Sequence, residues 1–153
     1  SSHVWPAGAV MLKNIVDEDE TAAIRFNQEK LNEYGVVPGC DSVTAIGGTA
    51  TTIGAIVNGL KVYDRNIVNG TKLSVERLEE ITDSLYLTTA KERVEKFYVN
   101  PKRAEIIACG AQLLLNVVKY LGAKSLIISE NDNAEGYYYM KKKGVRYEKI
   151  GQV

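Results

Sequence analysis

The chain has 153 residues, of which 45% are hydrophobic and 25% charged, and its formal net charge is +0. This length predicts one domain with a substantial core, since a domain near this size buries about 68–70% of its unfolded surface. The absence of a basic excess argues against binding of nucleic acids or anionic membranes.

The first predicted element is a strand over Val4–Lys13, where Pro6 and Gly8 favour an edge position or a bulge. The sequence before it lacks a secretory signal pattern, and no apolar run in the chain reaches the ~18–20 residues that cross a bilayer. Because the chain opens at Ser1 without a methionine, we expect it to be processed or truncated. His3, the one histidine, lies at an expected frayed end and is a poor candidate for catalysis or metal binding.

An acidic run, Asp17–Glu20, predicts the first turn of a helix, where the positive end of the helix dipole favours carboxylates. A metal site is the alternative, but it is the weaker one because consecutive helical residues point in different directions. The helix is predicted to reach about Tyr34 and to stop at Gly35. Its candidate core contacts are Ala23, Ile24, Phe26 and Leu31.

The middle of the chain predicts a short apolar strand at Ser42–Ile46 and, after a glycine turn, a helix from about Thr51 to Asn58. Turn signals fill residues 61–73, and the clearest of them is Asn69-Gly70. These elements therefore alternate between strand and helix.

Cap signals mark the helices of the second half. Ser74 can cap a helix that reaches Leu85, and Thr89 and Glu92 have the spacing of a capping box. Asn100-Pro101 predicts an N-cap followed by proline at the first helical position. The amphipathic helix after it is the clearest in the chain and is predicted to end at Gly122.

The last predicted elements are a buried strand at Ser125–Ser129 and a helix from about Asn133 to Lys143. Tyr137–Tyr139 lie within this helix and could form an aromatic platform for bases. The favoured prediction is that one or two of these rings pack against the sheet, because adjacent helical residues diverge by ~100°. Strands that alternate with helices predict the α/β class with at least part of a parallel sheet.

The two cysteines, Cys40 and Cys109, lie far apart without CxxC spacing and suggest neither a zinc site nor a disulfide framework. We predict two reduced thiols, one near a loop and one in a helix core. Reduced thiols are typical of the cytosol, so we expect a cytoplasmic protein.

The main functional signal is Thr44–Thr52, where a strand, a glycine pair and a helix start follow one another. Glycines permit a sharp turn and a close approach to a ligand, and a helix start offers unpaired N–H groups to an anion. The threonines add hydroxyl donors. A plain capped turn is the alternative, and the missing GK[ST] excludes a P-loop. The candidate phosphate-binding residues are Gly47, Gly48, Thr49, Ala50, Thr51 and Thr52.

Six segments resemble, in family order, motifs of the Ppx/GppA exopolyphosphatase and guanosine pentaphosphatase family. Residues 47–52 are similar to its GGTATT signature. The other five are Trp5–Val10 (LPLGAVR), Tyr63–Gly70 (YD…VHG), Thr89–Arg93 (T-x-E-E-R), Asn100–Gly110 (PERADVI…G) and Ser129–Gly136 (SD-x-GLREG). The resemblance therefore covers nearly the whole chain.

The resemblance implies a ribonuclease-H-like fold of the actin-like ATPase superfamily, with a partial sheet flanked by helices. It implies that residues 1–153 form a single domain similar to the second actin-like domain of the family and lacking its first strands. Family members hydrolyse terminal phosphoanhydride bonds of inorganic polyphosphate or pppGpp in a cleft between two domains, usually with Mg²⁺. The family's catalytic glutamate precedes these motifs, so we assign no catalytic or metal-ligating residue and expect the isolated chain to be inactive.

The segment 129–136 departs from the family pattern. Ala134 stands where the family has arginine, and Asp132-Asn133 stand where it has a glycine-leucine pair. Glu135 remains as a candidate cleft residue, and an acid in the first turn of a helix is the alternative. Arg93 and Arg103 are the other cation candidates, for which we favour structural ion pairs.

Three hypotheses about function remain. The first is part of a phosphatase that acts on polyphosphate or a guanine nucleotide together with a missing N-terminal domain. The second is a degenerate, non-catalytic sensor of a nucleotide or alarmone, motivated by the altered segment. The third, a phosphotransferase such as a sugar or acetate kinase, is disfavoured by the motif order. Missing strands would expose sheet edges, so we also expect self-association as a homo-oligomer.

Overall fold

The structure is a computed structural model that describes residues 8–131 and 133–143. Helices and strands alternate along much of the chain. In chain order they are α1 (Ala9–Val16), α2 (Glu20–Asn32), β1 (Ser42–Ile46), α3 (Gly48–Val57), α4 (Arg65–Val68), β2 (Lys72–Ser74), α5 (Val75–Tyr86), α6 (Ala90–Phe97), α7 (Pro101–Ala104), α8 (Ile107–Tyr120), β3 (Ser125–Ser129) and α9 (Asn133–Lys142).

The sheet has the strand order β1-β3-β2, so β3 is its central strand. β1 runs parallel to β3, with Ser42 opposite Ser125 and Ile46 opposite Ser129. β2 runs antiparallel to β3, with Leu73 opposite Leu126. The predicted α/β class, the partly parallel sheet and the bounds of β1 and β3 are thus confirmed.

Helix α8 is the centre of the packing, because it contacts α1, α2, α3 and α5. The larger core cluster includes Ile53, Leu78 and Leu115 from helices together with Leu126 and Ile128 from β3. Each such side chain contributes about 1.5–3 kcal/mol when it is fully buried. This core holds the start of α3 in a fixed position beside the carboxyl end of β1.

A smaller cluster joins α1 and α2 to α8 through Leu12, Ala23 and Cys109. It shows that the predicted strand over Val4–Lys13 is wrong from Ala9 onwards, where α1 begins, while residues 4–7 lie outside the described residues. Leu12 and Val16 are four residues apart and both join this cluster, which is a helical spacing. A short apolar run in a sequence does not by itself distinguish the periodicity of a helix from that of a strand, and here the packing against α2 and α8 decides.

Other boundaries also differ from the predictions. α3 begins at Gly48 rather than near Thr51. The predicted turn region 61–73 contains the short helix α4 and the strand β2, although the turn at Asn69-Gly70 is present and Gly70 has φ +82°. The long helix expected after Pro101 is divided into α7 and α8.

The N-caps predicted at Ser74, Thr89 and Asn100 are confirmed. Ser74 accepts a hydrogen bond from the Arg77 amide. Thr89 and Glu92 form the predicted capping box. Asn100 accepts from the Lys102 amide at 3.0 Å. The acidic run contributes Asp19 as the cap of α2, so only part of the run lies in the helix.

Arg93 is completely buried, and the ion pair predicted for it is confirmed. Its guanidinium forms two hydrogen bonds with the Glu18 carboxylate, at 2.9 and 3.0 Å. The same side chain donates to the carbonyl oxygens of Leu85 and Ala104 at 2.9 and 2.7 Å. Arg93 therefore connects the α1–α2 loop to α5 and α7.

Helix α9 leaves all three tyrosines Tyr137–Tyr139 more than half exposed, so the predicted packing of one or two rings against the sheet is wrong.

Cys40 is exposed and Cys109 buried, and both are free thiols as predicted. Among residues 8–131 and 133–143, no helix combines the length and the apolar character needed to span a membrane.

Candidate phosphate-binding site

The turn from β1 into α3 depends on Gly47. Its φ of +88° and ψ of 177° lie in a region that is essentially restricted to glycine. This conformation lets α3 begin immediately after the strand, at Gly48. The start of the helix consequently lies at the carboxyl edge of the sheet, where open α/β sheets commonly bind ligands.

No side chain of the described residues caps the start of α3. The amides of Gly48, Thr49 and Ala50 belong to the first turn, which has no partners inside the helix, and none of them donates to another group in the described part of the chain. Unpaired amides together with the positive end of the helix dipole attract an anion.

The threonine hydroxyls are already engaged within the helix. Thr52 Oγ1 donates to the Gly48 carbonyl at 2.7 Å, and Thr51 Oγ1 lies 3.4 Å from the same oxygen. Thr49 turns the other way: a Cβ on Gly110 of α8 would lie 2.6 Å from Thr49 Oγ1. Ala50 is buried in the core. The loop thus offers a ligand mainly its backbone amides.

Arg103 of α7 lies against this loop. A Cβ on Gly48 would be only 1.5 Å from Arg103 Nη1, so the guanidinium occupies the space that the glycine leaves free. Arg103 makes no ion pair among the residues that the structure describes, which contradicts the structural ion pair favoured for it. The cap at Asn100 and Pro101 starts α7 and thereby positions this exposed cation.

An open cavity of about 520 Å³ begins at this loop. Its polar lining consists of Thr51, Thr52, Asn100, Arg103 and Glu130. Its remaining walls are apolar or aromatic, and they comprise Ala55, Ile56, Leu60, Tyr63, Phe97, Tyr98 and Val99. A cavity of this size is within the range of small-molecule sites.

Glu135, the candidate cleft residue, does not line this cavity. Its carboxylate oxygens both lie 2.8 Å from Arg65 Nη2, so it joins the start of α9 to α4. The nearby Glu130 lines the cavity instead, and sequence reasoning missed it. Burial and the negative charge of Glu135 raise the pKa of Glu130 above its usual range.

The donor set of this chain does not by itself form a magnesium site. In the described ranges, no three histidine, cysteine or acidic side chains come together as metal ligands. Among the described residues, Glu130 is the one carboxylate that lines the cavity, and its Oε2 lies 3.8 Å from Arg65 Nε. A hard cation requires several oxygen ligands, so others would have to come from elsewhere.

Comparison with known proteins agrees with this architecture. The sequence model of the Ppx/GppA phosphatase family matches residues 4–143. The bifunctional 3-dehydroquinate synthase/phosphatase of Fusobacterium nucleatum is 25% identical over 126 residues, which are 82% of this chain and 19% of that protein. Exopolyphosphatase 2 of Mycobacterium tuberculosis is 27% identical over 60% of this chain and 30% of its own length.

A crystal structure of the Aquifex aeolicus Ppx/GppA family member superposes with a TM-score of 0.83 at 23% identity, over 94% of this chain and 49% of that one. The solved neighbour shares this α/β fold, in which a small, partly parallel sheet is flanked by helices. The chain belongs to the Ppx/GppA phosphatase family. It spans about half of the solved neighbour and less than a third of the curated relatives.

Proposed function

We propose that this chain forms the phosphate-binding wall of a phosphatase that hydrolyses terminal phosphoanhydride bonds of inorganic polyphosphate or pppGpp. The observation that carries the proposal is the Arg103 guanidinium, which has no ion pair among the described residues and lies beside the uncapped start of α3. Amides, a helix dipole and a forked cation together suit an oxygen-rich anion. Membership of a phosphatase family supports phosphoanhydrides as the class of substrate.

The described residues supply binding groups rather than a catalytic base. Arg103 lines the cavity and lies against Gly48 in the first turn of α3, so its guanidinium and the unpaired amides of that turn can stabilise negative charge together. Glu130, which also lines the cavity, lies beside Arg65. Catalysis then requires a carboxylate from another part of the whole protein, as the family resemblance implies. A magnesium ion would accompany the substrate phosphates, with most of its ligands outside this chain.

Calorimetric titration of the 153-residue chain with inorganic tripolyphosphate tests the proposed phosphate-binding site at Gly48 and Arg103. Arg103→Ala should weaken binding about 10- to 150-fold, since a hydrogen bond to a charged group contributes about 1.5–3 kcal/mol. Lys102→Ala is the matched control, because it removes an exposed charge from the adjacent residue of α7. Equal losses in the two variants, or no binding by the unaltered chain, would contradict the proposal.

A non-catalytic sensor is the second candidate. It is favoured by the segment Ser129–Gly136, where Ala134 cannot bind phosphate and Glu135 is engaged by Arg65. A phosphate-release assay with the whole protein separates the two functions. Turnover of polyphosphate or pppGpp supports the phosphatase, whereas tight binding without release supports the sensor.

We also infer a protein partner at the edge of the sheet. β1 pairs with β3 on one side, and no described strand pairs with its other side. An unpaired edge of this kind accepts a strand from another chain, which favours self-association of the isolated domain. Light scattering at high concentration should give a mass above that of a monomer, and a purely monomeric mass would contradict the inference.

A further inference from the structure

Gly110 lies inside α8, where glycine is a poor choice for the helix. It is the fourth residue of α8 and is buried. Glycine is less favourable than alanine in a helix interior, so its presence requires a reason in the packing. The reason is the space beside it, because a Cβ there would lie 2.6 Å from Thr49 Oγ1, 3.0 Å from Thr49 Cγ2 and 3.1 Å from Ala9 Cβ. The bare backbone of Gly110 therefore allows α1 and α3 to contact α8 at the same point.

Thr49 cannot avoid an added Cβ by rotating its side chain. Its own Cβ carries two heavy atoms on three staggered positions, and two of these positions face Gly110. Every staggered rotamer therefore leaves at least one heavy atom at about 2.6–3.0 Å from the added carbon, which is closer than the roughly 3.5–4.0 Å at which non-bonded carbon atoms pack. Since Thr49 is the second residue of α3, relief requires a shift of the helix start or of α8.

The same part of α8 is connected to Arg103. The Ile106 amide donates to the Arg103 carbonyl at 3.0 Å, and the Gly110 amide donates to the Ile106 carbonyl at 3.0 Å. α7 thus leads directly into the first turn of α8, while the Arg103 guanidinium lies over Gly48. The contact between Gly110 and Thr49 consequently sets how far the first-turn amides of α3 lie from that guanidinium.

We propose that Gly110 is a positioning residue of the phosphate-binding site, because it holds the first turn of α3 where the Gly48–Ala50 amides and the Arg103 guanidinium reach the same phosphate. The inference rests on the proposed function, in which these two groups bind the anion together. Gly110 acts through Thr49 rather than on the ligand. A side chain at residue 110 would displace the amides relative to the guanidinium, and hydrogen bonds weaken as their distance and angle depart from the optimum.

Calorimetric titration of the 153-residue chain and its Gly110→Ala variant with inorganic tripolyphosphate tests the proposal. Gly110→Ala should weaken binding about tenfold, which corresponds to about 1.4 kcal/mol. The better helix propensity of alanine offsets part of the cost of crowding, so this variant should stay folded, and thermal unfolding checks that it does.

Leu31→Ala is the control for a loss of stability without displacement of the site. Leu31 is a buried residue of α2, which packs against α8. This variant should unfold at a lower temperature because it loses core packing, yet it should bind tripolyphosphate as tightly as the unaltered chain. A role of Gly110 in stability alone would give the same pattern for Gly110→Ala, with unchanged affinity, and would overturn the inference.

A double variant tests whether the effect passes through Thr49. Thr49→Ala removes both heavy atoms that would meet the added Cβ, so Gly110→Ala combined with Thr49→Ala should regain most of the affinity that Gly110→Ala loses. A loss that the double variant does not recover would also count against the inference.

The titrations distinguish this inference from the proposed function. If tripolyphosphate binding depends on Arg103 but is insensitive to Gly110→Ala, the proposed function stands and the inference alone fails. No binding of tripolyphosphate by the unaltered chain defeats both.

Discussion

Arg93 and Arg103 belong to neighbouring helices, yet their surroundings differ completely. Arg93 is fully buried and donates to the Glu18 carboxylate and to two backbone carbonyls. Arg103 is exposed, has no ion pair within the described ranges, and lies over Gly48. The same side chain thus stabilises the fold at one position and leaves its hydrogen-bonding capacity free at the other.

The difference indicates how a ligand site can be separated from a structural ion pair. A guanidinium that is buried and uses most of its donors inside the protein has little left for a ligand. A guanidinium held beside uncapped amides retains its fork for an oxygen-rich anion. Substitutions at the two positions should therefore affect different measurements, the free energy of unfolding for Arg93 and ligand affinity for Arg103.

The largest expected effect is on stability. Arg93→Met should lower the free energy of unfolding by about 3–5 kcal/mol, because removing one partner of a buried pair leaves uncompensated polar groups. Urea denaturation measures this loss. Arg77→Met is the control, since Arg77 is exposed and, in the part of the chain that the structure describes, pairs only with Glu80. Its change should stay within about 0.5 kcal/mol. A loss at Arg93 no larger than the control's would show that its buried contacts are not stabilising.

The next effect concerns the turn at Gly47, which places the start of α3 directly after β1. Gly47→Ala should lower the free energy of unfolding by about 1–3 kcal/mol, because a φ of +88° is strained for any residue with a Cβ. Urea denaturation again measures the loss. If the stability of Gly47→Ala equals that of the unaltered chain, the turn does not need glycine.

Gly48→Ala should separate affinity from stability. The new Cβ would meet Arg103 Nη1 at 1.5 Å, so the flexible guanidinium must move away. Stability should be unchanged or slightly higher, since alanine is the better helix former. Tripolyphosphate affinity should fall towards that of Arg103→Ala, and combining the two substitutions should add little further loss. Fully additive losses in calorimetric titration would indicate that Gly48 and Arg103 act independently.

Much of the fold could be predicted from the sequence because the signals were local. The caps at Ser74, Thr89 and Asn100 involve partners within three residues, and β1 and β3 are continuous apolar segments between turns. Where the signal depended on distant contacts, the prediction failed. The helical conformation of α1 became clear only from its packing with α2 and α8.

In the candidate site, too, local features could be predicted from the sequence and those that depend on distant contacts could not. The glycine-threonine segment and its strand-turn-helix order were visible in the sequence, whereas the orientation of Thr49 towards Gly110 was not. Arg93 and Arg103 looked alike in the sequence, and they are distinguished by contacts that the sequence does not show, such as that of Arg93 with Glu18, 75 residues away. Glu130 carried no signal of its own, because its burial depends on α4 and on the loop that contains Asn69.

The smallest expected effect is the pH dependence of stability that Glu130 causes. Burial and the negative charge of Glu135 raise the pKa of Glu130. The folded chain then holds the Glu130 proton to higher pH than the unfolded chain does, so the free energy of unfolding should fall as pH rises through the raised pKa. Below the ordinary glutamate pKa both states are protonated, so the free energy of unfolding no longer changes with pH through Glu130. Urea denaturation between pH 4 and pH 7 should show Glu130→Gln gaining stability over the unaltered chain with increasing pH, while Glu95→Gln shows no such trend. A pH-independent difference would mean that Glu130 remains ionised in the folded chain without cost.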